Sequence, residues 1–166
     1  MTTMYESEKN WLEKIADNLP GIKGYRDKEQ RRDTDKRLRE YIADQIDGVR
    51  KDLSDIQSIL AGEGKLPLLD DVDKLDRRLQ QAADEIRFAS YGYAGLFDAV
   101  KIREQELDEI YQYDAALLDV VDHLKLSLTK LDPSTVTMDD IKGFGGELKE
   151  LEQKIAGRKQ IFNTPV

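Results

Sequence analysis

The chain has 166 residues, of which 36% are charged and 39% hydrophobic, a balance typical of one domain, 1–166, built from helices with mixed-charge polar faces. Its net charge of −8 argues against nonspecific nucleic-acid binding, because a polyanion requires a basic face. The absence of cysteine excludes disulfides, zinc–thiolate sites and cysteine nucleophiles, and the presence of a single histidine in addition argues against nucleophilic triads and zinc hydrolysis.

The first predicted element is a short helix over residues 4–18, with its apolar side chains on one side, that ends at Leu19-Pro20-Gly21. Its polar face is mainly acidic, whereas a helix lying on a membrane surface has a basic one. The sequence contains no apolar run of roughly 18 residues and no apolar signal-peptide core near Met1. We therefore expect a cytoplasmic protein in which this helix packs against protein.

The second predicted helix spans 27–61 and carries an apolar stripe at spacings of three and four residues. The stripe consists of Leu38, Tyr41, Ile42, Ile46, Val49, Leu53, Ile56 and Leu60. Gly62-Glu63-Gly64 follows and is a typical helix terminator. The first ten residues are charged instead of apolar, so we expect that end to be exposed or held by polar contacts.

The stretch from Leu68 to Leu131 keeps a heptad stripe in one phase, with Arg103 and Asp114 as its two interruptions. Residues 90–95 have the composition of a loop, but a loop has no reason to preserve heptad phase. The pattern therefore predicts one helix over 68–131, at most kinked near 92–95 and about 96 Å long. The alternative is a compact four-helix bundle in which the chain is broken at 91–96.

The last predicted helix spans 138–162, with Thr137 as N-cap and Asp140 completing a partial capping box. Short connections at 62–67 and 132–136 favour antiparallel neighbours. The sequence thus predicts an all-α, elongated antiparallel coiled coil: helix 27–61 lies along the first half of the long helix and helix 138–162 along its second half.

This register brings the connector 19–25, the start of helix 27–61 and the end of helix 138–162 to the Tyr- and Gly-rich residues 90–95 at the middle of the long helix, a region that we call the waist. Residues 23–39 hold eight basic and four acidic side chains, whereas 104–124 hold seven acidic and no basic ones. The candidate residues for binding a partner or an anion are Lys23, Tyr25, Arg26, Arg31, Arg32, Tyr91, Tyr93 and Arg103. The plainer interpretation, which we favour, is internal ion pairing and close packing of the aromatic residues.

Asp114 occupies a stripe position, where a carboxylate is costly unless it is paired. The antiparallel register places Ile155 opposite Asp114 and Arg158 one turn further along the last helix. We predict a structural ion pair between Asp114 and Arg158 that fixes the register of the last helix.

These features favour a non-enzymatic helical scaffold or adaptor without cofactor or metal, because abundant surface carboxylates are mostly solvating groups. Self-assembly into a homo-oligomer is expected, since the hairpin formed by 27–61 and the first half of the long helix would expose an apolar edge. That edge consists of Val49, Leu53, Ile56, Leu75 and Leu79.

Two alternative functions stay open at this point. The long-helix layout resembles, in architecture alone, the coiled-coil stress and scaffold proteins of the phage-shock and ESCRT-III type, which implies a membrane-associated stress or remodelling role. The acidic helix 4–18 does not match the basic N-terminal helix of that type, so the resemblance implies no site residues in this sequence. The second alternative is a small-ligand or metal-binding bundle, for which His123 offers a lone histidine without a Glu-x-x-His pair.

Overall fold

The computed structural model describes residues 28–89 and 104–163, with side chains at 35–89 and 109–160. This part of the chain forms four helices: α1 (Lys28–Gly62), α2 (Leu66–Arg87), α3 (Glu104–Thr129) and α4 (Met138–Asn163). The all-α prediction is confirmed, and the predicted limits of the second and last helices agree with α1 and α4 to within one residue. The predicted helix at 4–18 lies outside the described residues.

The turn between α1 and α2 closes through backbone hydrogen bonds and one glycine in a left-handed conformation. The Lys65 N–H donates to the Leu60 carbonyl at 3.0 Å, and Gly64 has φ +72°. An L-residue with a side chain rarely adopts this φ, which explains a glycine at the position. Pro67 then stands in the first turn of α2, where its missing N–H is not needed.

The four helices pack in a square, in which α1 and α4 each contact both α2 and α3. Hairpin 1 consists of α1 and α2, and its antiparallel register is fixed by Arg50, which donates to both carboxylate oxygens of Asp76 at 3.0 and 3.2 Å. Hairpin 2 consists of α3 and α4, which are also antiparallel. Between the hairpins, α1 runs parallel to α3, so that Gln45 lies beside Lys125.

The predicted single helix over 68–131 is wrong, and the compact four-helix bundle is the observed arrangement. The Lys65 ammonium donates to the carbonyls of Pro133 and Ser134 at 2.8 Å each. In a continuous helix these two regions would stand about 96 Å apart. Helix α2 ends at Arg87, and α3 begins at Glu104 with the opposite chain direction; residues 91–96, where we placed the alternative break, lie outside the described residues.

Folding back covers the apolar stripes on every helix. The buried core includes the whole predicted α1 stripe except Tyr41, which is half-buried against it. The apolar edge that we expected to be exposed is also buried inside one chain, since Val49, Leu53, Ile56, Leu75 and Leu79 are between 0% and 9% exposed. Burial stabilises by roughly 25 cal/mol per Å² of apolar surface, and this favours the bundle over an extended hairpin whose stripe faces water.

Half-buried polar contacts join the two hairpins along the α2–α4 side. Arg78 on α2 binds both carboxylate oxygens of Glu152 on α4 at 2.7 and 2.9 Å, and it also donates to the Gly145 carbonyl at 3.0 Å. A bidentate guanidinium–carboxylate contact constrains the orientation of both partners. Arg78 therefore fixes how far α2 and α4 slide past each other.

A distance measurement separates the bundle from the extended helix. Spin labels on Leu66→Cys and Thr135→Cys, both at exposed positions, should lie well under half of the roughly 90 Å or more that a continuous helix would impose. The chain has no cysteine of its own, so both labels are site-specific. The control pair Lys51→Cys and Lys74→Cys lies within hairpin 1 and should give a short distance in either arrangement. A long distance for the first pair would overturn the bundle.

The predicted capping box at the start of α4 is present and makes a pH-dependent contribution. The Thr137 N–H and hydroxyl both donate to the Asp140 carboxylate at 2.8 Å, and they lower the pKa of Asp140 below its ordinary 3.8. Because the pKa is lowered in the folded state, the cap stabilises above pH 3.8 and loses this effect as pH falls through the lower folded value.

We therefore expect Asp140→Ala to lower the urea midpoint at pH 7, with a difference from the wild type that disappears in strong acid. Asp139→Ala is the matched control, because Asp139 is exposed in the same first turn. An equal, pH-independent loss in both variants would contradict the role of the capping box.

Candidate functional site

Four charged side chains are buried together near one end of the bundle. Asp35 and Arg39 on α1, Asp114 on α3 and Arg158 on α4 are 3%, 4%, 0% and 2% exposed. Charged groups are rarely buried unless they are paired, so their grouping is the most unusual chemical feature of the described residues. We call these four residues the charged layer.

The contacts of the charged layer join all four helices. Arg158 Nε and Nη2 lie 2.5 and 3.0 Å from the two carboxylate oxygens of Asp114, so the ion pair predicted from the sequence is present in the structure. Arg158 Nη2 also lies 3.5 Å from Asp35 Oδ1. Arg39 donates from Nε to Asp35 Oδ2 at 2.9 Å and from Nη1 to the Arg87 carbonyl of α2 at 3.1 Å.

The charged layer lies at the end of the bundle opposite the two short turns, where α1 and α3 begin and α2 and α4 end. The start of α1, the part of the predicted waist that the structure describes, lies at this end. Arg31 and Arg32 belong to α1 a turn before Asp35, but their side chains are not described. Six further waist candidates lie outside the described residues: Lys23, Tyr25, Arg26, Tyr91, Tyr93 and Arg103.

Burial disfavours the charged forms of both Arg158 and Asp114, which we call the central pair. It lowers the pKa of Arg158 to about 10, against the opposing effect of Asp35. It also raises the pKa of Asp114 well above its ordinary range; Asp35 adds to this effect, and Arg39 opposes it. The bidentate contact with Arg158 compensates the Asp114 carboxylate for its lost hydration. These buried charges therefore stabilise the bundle only while Asp114 and Arg158 remain in contact.

A glycine beside the Arg158–Asp114 pair makes room for a tyrosine side chain. Gly157 precedes Arg158 on α4, and the Tyr113 hydroxyl of α3 lies against its Cα, where a Cβ would collide with it. Tyr113 in turn precedes Asp114. The absence of a side chain at Gly157 therefore leaves room for the Tyr113 hydroxyl beside Arg158 and Asp114.

The charged groups of this layer face one another and the surrounding apolar core. Leu38 on α1, Ile86 on α2, Leu117 on α3 and Ile155 on α4 are buried at neighbouring levels. Within the part of the chain that the structure describes, no group of three acidic or histidine side chains is arranged to hold a metal ion, and no helix is long and apolar enough to cross a membrane. A shallow open depression on the outer face of α2 is lined by Arg77, Gln80, Gln81, Asp84 and Glu85.

Sequence reasoning found half of the charged layer. It identified Asp114 and Arg158, because Asp114 interrupts an apolar stripe, but it did not identify Asp35 and Arg39. The sequence does contain a signal for Asp35. This residue stands three positions before Leu38, so it continues the three- and four-residue spacing of the α1 stripe. Arg39 gives no comparable signal, since it stands beside the stripe and becomes buried through contact with Asp35 and the end of α2.

Comparison with known proteins gives no relative for this chain: no family model, curated protein or solved structure matches it.

Substitutions in the central pair should show that the buried charges depend on each other. Asp114→Ala leaves Arg158 short of its main partner and should cost about 3–5 kcal/mol in the free energy of unfolding. The double variant Asp114→Leu with Arg158→Met removes both charges and fills the space, so it should unfold at a higher urea concentration than Asp114→Ala. If the double variant instead loses the sum of the two single losses, the two side chains act independently.

Two glycines of α4 should respond to alanine in opposite directions. Gly146→Ala meets nothing within 4 Å, so the higher helix propensity of alanine should stabilise by about 0.5–1 kcal/mol. Gly157→Ala gains the same propensity, but its Cβ would collide with the Tyr113 hydroxyl, so the half-buried tyrosine side chain must leave its position and the net effect should be destabilising. Thermal unfolding of the two variants beside the wild type measures both effects. Stabilisation by Gly157→Ala would show that the position of the Tyr113 side chain contributes less to stability than helix propensity does.

Proposed function

We propose that this protein is a non-enzymatic helical scaffold or adaptor that acts through protein–protein contacts on the outer faces of its bundle. The observation that carries the proposal is the charged layer, whose groups, among the described residues, contact one another across all four helices. Buried charges used in this way contribute to a defined helix register more than to stability. They thereby keep the outer helix faces in a fixed relation to one another.

The outer faces offer mixed chemistry for such contacts. They carry charged side chains of both signs, and four large apolar residues of the described part of the chain stand exposed among them. These are Ile59, Leu66, Phe88 and Leu126. An exposed apolar side chain surrounded by polar groups suits a contact with another protein, in which the apolar group is buried and the polar rim gives specificity.

Self-assembly is not part of this proposal. We expected self-assembly from the sequence because hairpin 1 would expose an apolar edge, but hairpin 2 covers that edge within one chain. The membrane-associated alternative drew its architecture from a long central helix, which the bundle replaces. The proposal therefore rests on contacts with a different protein.

Affinity capture from the native host with the full chain as bait, followed by titration of the purified candidate, tests the proposal. We expect saturable binding that weakens at least about fivefold in one of two surface variants, Ile59→Ser or Leu126→Ser, without a change in melting temperature. Gln81→Ala on the outer face of α2 is the matched control for a different surface. Absence of saturable protein binding, together with cosedimentation of the chain with anionic vesicles, would support the membrane-associated function instead.

A further inference from the structure

We propose that the outer groove between α1 and α3 is the surface on which the scaffold binds its partner, and that the partner presents a basic amphipathic helix. The inference rests on the function proposed above and adds to it the site and the chemistry of the partner. Three features of the groove carry it: the contacts between its two sides, its exposed apolar side chains and its charge.

Contacts between α1 and α3 show which side chains border the groove. The Lys125 ammonium of α3 donates to the Gln45 side-chain oxygen of α1, and Lys125 Cε lies 4.0 Å from the position that a Cβ on Gly48 would occupy. Burial raises the pKa of half-buried Tyr41, and the nearby negative charge of Asp122 adds to the effect. Tyr41, Gln45 and Gly48 therefore form the α1 side of the groove, and Asp122 and Lys125 form its α3 side.

An exposed apolar side chain lies on each side of the groove. Ile59 stands fourteen residues after Gln45, and residues at seven-residue intervals share one face of a helix. Leu126 stands four residues after Asp122 and so shares its face of α3. Ile59 and Leu126 are 46% and 54% exposed. One exposed apolar residue is ordinary, but two on the same groove provide anchoring points for a partner.

The groove is also acidic. Residues 40–59 of α1 hold five acidic and two basic side chains, and residues 115–129 of α3 hold two acidic ones and one lysine. Asp52 and Asp55 precede Ile59 by seven and four residues, so they share its face, and both are exposed. Within the described part of the chain, no salt bridge joins either of these aspartates to another residue. Their charge is therefore available to a partner.

The groove on the opposite side of the bundle, between α2 and α4, differs in both respects. Ion pairs cross it, from Arg78 to Glu152 at 2.7 Å and from Lys159 to Glu85 at 3.0 Å. Its α4 side is electrically balanced, since residues 138–163 hold five acidic and five basic side chains. The charges of the α2–α4 groove thus serve the bundle itself, whereas the α1–α3 groove carries aspartates without an internal partner beside exposed apolar groups.

These features select the occupant of the α1–α3 groove. An amphipathic helix can bury its apolar face against Ile59 and Leu126 and place lysine or arginine side chains beside Asp52 and Asp55. A second copy of the chain that applied the same groove would place acidic groups opposite acidic groups. An anionic membrane surface would be repelled in the same way. The charge therefore favours a basic helix of a different protein.

NMR titration of the full chain with a synthetic peptide tests the inference. The probe is a helix-forming peptide of about 18 residues, long enough for stable helicity, with leucines at three- and four-residue spacing and lysines elsewhere. We expect saturable amide shifts confined to residues 41–59 and 115–129. A peptide with glutamate in place of lysine, and one with the leucines scattered around the helix, should each bind at least about tenfold more weakly. Absence of binding, or shifts spread over all four helices, would overturn the inference.

Surface variants show whether both kinds of contact are used. Ile59→Ser, Leu126→Ser and the double variant Asp52→Asn with Asp55→Asn should each weaken peptide binding at least about fivefold. Gln81→Ala, on the outer face of α2, is the matched control and should bind like the wild type. Equal binding by all these variants would indicate general attraction between a basic peptide and an acidic protein, and would contradict a specific groove.

The native partner captured from the host distinguishes the failure of this inference from that of the proposed function. Absence of any saturable protein partner counts against the scaffold function. A partner that binds equally well to the wild type and to all the groove variants leaves the scaffold function in place and overturns the assignment of the α1–α3 groove alone.

Discussion

The contact between Arg158 and Asp114 is the interaction on which the arrangement of the bundle most depends. A carboxylate with 0% exposure in a helix core is tolerated only if a cation reaches it, and here the cation comes from the adjacent antiparallel helix. That requirement fixes the register of α3 against α4. Beside this pair, Gly157 leaves room for the Tyr113 side chain of α3.

The same pair connects the two hairpins into one unit. Arg158 reaches Asp35 on α1, and Asp35 in turn holds Arg39, which reaches the last carbonyl of α2. The helices are thus related through a chain of charged contacts as well as through the apolar core. Apolar side chains of similar size can exchange places at low cost, whereas a misaligned ion pair leaves a buried charge unpaired, so the charged layer discriminates between registers more sharply than the core does.

The two ends of the bundle accordingly differ in kind. At the turn end, local backbone geometry and apolar burial hold the hairpins together, with the Lys65 ammonium across both turns. At the other end, the buried ion pairs of the charged layer fix the register of the helices.

The sequence by itself determined the limits of α1 and α4, the buried faces of the helices and the pairing of neighbouring helices into hairpins. Periodicity and caps are local, so the limits of α1 and α4, the capping box of Thr137 and Asp140, and the α1 stripe could be read directly. Short turns force antiparallel neighbours, and the register that follows from them led to Asp114 and Arg158. The tertiary structure alone decided that α2 and α3 are separate helices of opposite direction. A heptad stripe has the same phase whether two helices are continuous or folded against a shared core, and the choice depends on how much apolar surface each arrangement covers. The burial of Asp35 and Arg39 follows from that choice, because α4 reaches α1 only after the chain has folded back.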